Sequence, residues 1–169
     1  IVSRWGIPRE RIAVVPNSVS LSELPTREEA RQLFGFGEEP VIVSAGRFVP
    51  WKGFTMLIKV FSELSKEFPR ARLIVAGDGP EQKMLKEESR GLNVQFLGAV
   101  TKERLFSLLR AGDTFVLNPR YEGFSHQILE AFAVGIPVIT TDIPGNAELV
   151  EGNTAITIPW NDAVKMKEA

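Results

Sequence analysis

Four charged side chains are spaced so that they could hold an anion together with a pair of hydroxyl groups: Arg47 and Lys52 in "AGRFVPWKGF", and Glu122 and Glu130 in "YEGFSHQILEAF". Arg47 and Lys52 follow the apolar run "VIVSA" and stand where the helical pattern "WKGFTMLIKVFSELSKEF" begins. The start of a helix carries unpaired N–H groups and the positive end of the macrodipole, so it favours anions and disfavours cations. A phosphate or diphosphate between the two side chains would offset that cost and use the free N–H groups as well. Two solvated surface cations are the plainer alternative. The stretch is not a P-loop, which needs Gly directly before the Lys where this chain has Trp51, and no G-x-G-x-x-G fingerprint occurs.

Glu122 falls in a loop pattern, and Glu130 follows inside a helical one among Ile128, Leu129, Ala131, Phe132 and Ala133. A carboxylate in so apolar a neighbourhood is costly unless it is hydrogen-bonded. A ligand diol such as a ribose would satisfy it, each charge-assisted bond contributing about 1.5–3 kcal/mol. A polar stripe facing solvent is the alternative. The backbone N–H groups of Phe124 and Ser125, at the expected helix start, offer a further anion site. His126, the single histidine, reads as a capping or surface residue and not as a general base.

The elements that must position these groups follow from periodicity. Strand-like runs cover 12–15, 41–45, 72–76, 94–97, 114–118, 137–141 and 154–158, and helical patterns cover 26–34, 52–67, 80–89, 101–110, 124–134 and 145–151. Thr26, Thr101 and Ser125 are start signals, Pro80 suits a first turn, and Gly112 and Gly135 are placed to stop their helices. Short β-branched strands alternating with helices specify βα units and a parallel sheet covered on both faces. The fold class is therefore α/β, a Rossmann-like, doubly wound parallel sheet, in a single domain over 1–169. Ligands of such sheets bind outside the carboxyl ends of the strands, where this chain places "GRFVPWKG", "GDGP", "GAVT", "PRYEGFS" and "DIPGN".

Composition narrows the partners. With 20 basic and 21 acidic residues, a net charge of −1 gives no electrostatic reason for nucleic acid or an anionic membrane as the main partner. The absence of cysteine excludes disulfides and thiolate chemistry, and one histidine cannot build a His-rich metal site. No apolar run approaches ~18 residues and no signal pattern opens the chain, so a cytoplasmic location is expected. A chain that begins at Ile1 and closes on the barely started helix "NDAVKMKEA" is expected to be a piece of a larger protein.

The segments "GRFVPWKGF", "GDGP", "FLGAV" and "EGFSHQILEAFAVGIPVITTDIPGNAELVE", in this order, resemble the C-terminal, donor-binding half of retaining GT-B glycosyltransferases of family 4, over roughly residues 12–158. The resemblance implies that Arg47 and Lys52 grip the diphosphate of an NDP-sugar and stabilise the leaving group. It implies that Glu130 binds the ribose hydroxyls and that Glu122 lies beside the donor sugar. Gly123, Phe124 and Ser125 match backbone amides near the sugar and phosphate, while Gly77 and Gly79 of "GDGP" and Val100 of "LGAV" match loops lining the nucleotide and base pocket. No metal or other cofactor is implied, and no D-x-D pair occurs. The acceptor would sit on an N-terminal domain of the parent protein, which together with the C-terminal crossing helix is absent here, so the fragment alone should be nearly inactive. The full-length protein could be peripheral to a membrane. The entry loop departs from the family, reading "NSVS" at 17–20 where Asn-Gly and then Val-Asp are common. A GT-B nucleotide-sugar epimerase domain and a non-catalytic nucleotide-binding domain are the alternatives.

Overall fold

Short runs of Val, Ile, Leu and Phe become strands here because each finds a parallel neighbour. The computed structural model describes all residues except 1, 14, 16, 22, 148 and 151–153. Its strands are β1 (Val41–Ala45), β2 (Arg72–Ala76), β3 (Val94–Gly98), β4 (Thr114–Leu117), β5 (Val138–Thr141) and β6 (Ile156–Ile158). They form one parallel sheet in the order β3-β2-β1-β4-β5-β6. In register, Val43 pairs with Ile74 of β2 on one side and with Phe115 of β4 on the other. After β3 the chain returns to the other side of β1, so strand order reverses between β1 and β4, and a crevice opens at that edge.

The helices are α1 (Val2–Trp5), α2 (Arg27–Phe34), α3 (Phe54–Glu67), α4 (Gln82–Glu88), α5 (Lys102–Ala111), α6 (His126–Val134), α7 (Pro144–Ala147) and α8 (Ala163–Glu168). Side chains alternate along each strand and both faces are covered, which gives two apolar layers. Val43, Ile74, Phe115 and Leu117 pack with Ala30, Phe106, Leu109 and Ile128 of α2, α5 and α6. Leu73, Val75, Val116 and Ile139 pack with Leu57, Phe61, Leu85 and Met166 of α3, α4 and α8. On that second face an apolar groove of about 720 Å³ remains between α3, α8 and the last strands. It lies well away from the carboxyl edge that carries the charged residues.

Four placements differ from the sequence expectation. No strand forms at 12–15, where Ile12, Ala13 and Val15 run through a loop and Val14 lies outside the described residues. A short apolar run becomes a strand only where a sheet edge accepts it, and here β3 and β6 are the edges. The pattern at 52–67 divides into a 3₁₀ turn, Pro50–Lys52, and α3 from Phe54, because Gly53 between them is left-handed at φ 73. The helix expected at 145–151 is the single turn α7, with 148 and 151 outside the described residues. Pro80 sits in the turn before α4 instead of in its first turn. Thr26, Thr101 and Ser125 do cap their helices, and Gly135 ends α6 in the left-handed conformation.

Candidate functional site

The loop after β1 is tied to its neighbours before it presents any charge. The Gly46 N–H donates to the Ala76 carbonyl at 3.0 Å and the Phe48 N–H to the Asp78 carbonyl at 2.7 Å. Phe48 turns fully inward and meets the edges of Phe54 and Phe96, with centroids at 5.0 and 5.9 Å. One buried ring thus anchors the loop between the two cations. Glycine is required where the next loop crosses it: a Cβ at Gly77, φ 128, would stand 1.9 Å from the Gly46 carbonyl oxygen. Gly79 serves the same packing, backed against the Phe48 main chain, and is not among the residues lining the nearby cavity.

Arg47 is exposed and lines a cavity of about 250 Å³ together with Gly77, Asp78, Val100, Leu105 and Gln127. It makes no ion pair among the described residues. Lys52 is different. Its Nζ donates to Glu122 Oε2, and the two side chains are only 12% and 18% exposed. Lys52 also stands in the 3₁₀ turn outside the first turn of α3, so it does not oppose that helix end as the sequence pattern suggests. Its charge is answered inside the protein, by a carboxylate from the loop after β4.

That loop is held as firmly. A Cβ at Gly53 would lie 2.1 Å from the Asn118 carbonyl oxygen, and one at Gly145 would lie 1.7 Å from the Glu122 carbonyl oxygen. The loops after β1, β4 and β5 are therefore in direct main-chain contact. Gly123 has open space about its Cα. Phe124 is half-buried, and Ser125 is wholly buried as the N-cap of α6, its Oγ accepting from the Ile128 N–H at 3.4 Å. The helix proper starts at His126, so its leading N–H groups belong to His126 and Gln127, just beyond the expected pair.

Gln127 and Glu130 lie one turn apart on α6 and so share a face. Gln127 lines the cavity, and Glu130, one turn further along that face, does not. Burial pushes the Glu130 carboxyl above the usual glutamate range, and the charges of Lys102 and His126 partly offset that. The structure thus brings Arg47, Gly77 and Val100 to one cavity with Glu130 beside its α6 wall, and it pairs Lys52 with Glu122 at the adjoining loop crossing. Sequence reasoning missed Gln127, whose signal is its place one turn before Glu130. Among the described residues no group of three His, Asp or Glu side chains is placed to hold a metal ion.

Known proteins resemble this chain in sequence and in fold. The sequence profile described as "Glycosyl transferases group 1" matches residues 26–169. The mannosylfructose-phosphate synthase of Agrobacterium fabrum is 35% identical over 158 residues, which are 83% of this chain and 35% of that protein. The alpha-D-kanosaminyltransferase of Streptomyces kanamyceticus is 31% identical over 85% of this chain and 38% of its own length. The chain therefore spans little more than a third of these relatives. Among solved structures, Anabaena HepE in complex with UDP-glucose superposes with a TM-score of 0.74 at 27% identity, over 84% of this chain and 41% of that one.

Proposed function

Because the chain belongs to the group 1 glycosyl transferases, we propose that it is the donor-binding domain of a retaining enzyme that moves a sugar from an NDP-sugar to a hydroxyl acceptor. The observation that carries the reading is the cavity over the carboxyl ends of β1, β2 and β3, where Arg47, which makes no ion pair among the described residues, meets Gln127 at the start of α6. That is the expected position for a ligand in a doubly wound sheet, and its chemistry suits a nucleoside diphosphate. HepE, whose structure contains UDP-glucose, adds support.

In this reading Glu130 accepts hydrogen bonds from the ribose hydroxyls, while Gly77 and Val100 flank the nucleoside. Arg47 and the leading N–H groups of α6 hold the diphosphate. As the bond from the anomeric carbon to the diphosphate oxygen breaks, negative charge builds on that oxygen, and fixed donors already aimed at it lower the barrier. Lys52 joins them from beside Glu122, which faces the donor sugar. The acceptor oxygen bonds to the anomeric carbon on the face the diphosphate leaves, and its proton passes to the departing phosphate oxygen. No metal is part of this proposal. Most of the acceptor site belongs to the rest of a longer, cytoplasmic or membrane-peripheral protein, so the chain alone is nearly inactive.

Calorimetric titration with UDP, GDP and ADP tests the reading. Saturable binding of one nucleotide, much weakened in Lys52→Ala and Glu130→Ala, is the expected result. Silence toward all three, repeated with the longer parent protein, would sink it. Neither an epimerase nor a purely binding role has a specific observation in its favour.

A further inference from the structure

Three of the chain's four Trp and Tyr residues gather on the ligand edge, next to the Lys52–Glu122 pair and on the side away from the nucleotide cavity. Trp51 immediately precedes Lys52, and Tyr121 immediately precedes Glu122. Trp160 lies in the turn from β6 to α8. Arg120 links these loops: its N–H donates to the Trp51 carbonyl at 2.7 Å, and its guanidinium lies 5.2 Å from the Trp160 ring centroid. The cavity wall, by contrast, comes from Val100, Leu105 and Gln127 on the α5 and α6 side.

Trp51 is 48% exposed, Trp160 40% and Tyr121 72%. Each tryptophan thus presents aromatic surface to solvent, and the Arg120 guanidinium lies against the ring of Trp160. Arg120 makes no ion pair among the described residues, so its remaining donors are free to meet neutral hydroxyl groups. Along the chain the rings stand next to Arg120, Glu122 and Asn161, which carry hydrogen-bonding groups. A membrane surface would call for a larger contiguous apolar patch. Trp, Tyr and Arg also suit a protein interface, but the place of this cluster beside the pair that faces the donor sugar in the reading above argues for a sugar ring. Flat aromatic faces rimmed by hydrogen-bonding groups suit a ligand with an apolar C–H face and hydroxyls at its rim, which is the character of a pyranose ring.

We propose that Trp51, Arg120 and Trp160, with Tyr121 at the margin, form a saccharide platform that holds a sugar ring of a glycan acceptor beside the Lys52–Glu122 pair. Its role as an acceptor subsite rests on the donor reading above; the capacity to bind a sugar ring does not. This edge would then contribute to acceptor choice as well as to donor binding.

The three tryptophan indole N–H signals in nitrogen-15 NMR provide the test, assigned with single Trp→Leu variants of the 169-residue chain. The probes are methyl α-D-glucopyranoside, methyl α-D-mannopyranoside, maltose and α-1,2-mannobiose, each added with and without the nucleotide that binds. The expected result is a saturable shift at Trp51 and Trp160 but not at Trp5. Trp160→Leu should weaken that binding by roughly five-fold or more, Trp160→Phe should keep most of it, and nucleotide affinity should be unchanged in both. No indole shift with any saccharide, in a sample that still binds nucleotide, would overturn the platform and leave the donor reading standing. Saccharide binding without nucleotide binding would do the reverse. Shifts produced by phosphatidylcholine–phosphatidylglycerol vesicles and by no saccharide would overturn the platform in favour of a membrane surface.

Discussion

Lys52 and Glu122 meet with little water around them, so each governs what the other can bind. An entering diphosphate must share Lys52 with a carboxylate already in contact with it. Glu122→Gln should therefore tighten the binding of bare nucleoside diphosphate by roughly 3- to 10-fold at low salt while lowering sugar transfer by the full-length protein. Calorimetry reads the first effect, and unchanged affinity would take Lys52 off the diphosphate path. Glu130 makes a second prediction. Its carboxyl is raised by burial, so the stability linked to it is complete below the ordinary glutamate range and is lost as pH climbs through the raised value. Glu130→Gln should accordingly be more stable than the parent at pH 7, with the advantage gone by about pH 4, and should bind nucleotide roughly ten-fold more weakly. Urea denaturation at the two pH values decides it; an equal difference at both would put this carboxylate in water. The charged residues were legible in the sequence because their types and spacing conflict with their neighbourhoods. Their pairing was not: nothing local says that Lys52 reaches a residue from another βα unit.

Helix ends and loop glycines carry the next level. Ser125 is buried and caps α6, so Ser125→Ala should cost about 1 kcal/mol and loosen the helix start that faces the cavity. Gly53 and Gly98 are both left-handed, at φ 73 and 71, but only Gly53 is pressed against another main chain. Gly98→Ala should cost about 1 kcal/mol from its backbone alone. Gly53→Ala adds a clash with Asn118 and should cost about 2–4 kcal/mol. Equal losses in chemical denaturation would mean that the Gly53 turn yields freely. Five sheet strands were readable almost to the residue because buried parallel strands are continuous apolar runs. The run at 12–15 shows the limit, since "IAVV" has strand composition and Val15 is nonetheless 83% exposed. Composition states what a segment can pair with, not whether an edge is within reach.

For the whole molecule, a ligand in the Arg47 cavity would touch the loops after β1, β2 and β3 together with the start of α6, and so stabilise their arrangement. Nucleotide at a hundred times its dissociation constant should add about 2.7 kcal/mol, or roughly 5–10 °C in Tm for a domain of this size. Arg47→Ala should lose most of that rise while leaving the ligand-free Tm unchanged, because Arg47 is exposed and makes no ion pair among the described residues. A fall in the ligand-free Tm would assign it a structural role. The fold class was readable from the alternation of periods alone, but the order of strands, and hence the place where the site opens, depends on long-range pairing. The main-chain contacts at Gly53, Gly77 and Gly145 lock four loops into one framework with no room for even a methyl group. A lineage that inherits such a framework can change its ligand preference only through side chains that project from it, such as those at 78, 100 and 127. Divergence within the family would then be concentrated in a handful of projecting positions, while the glycines beneath them stay the same.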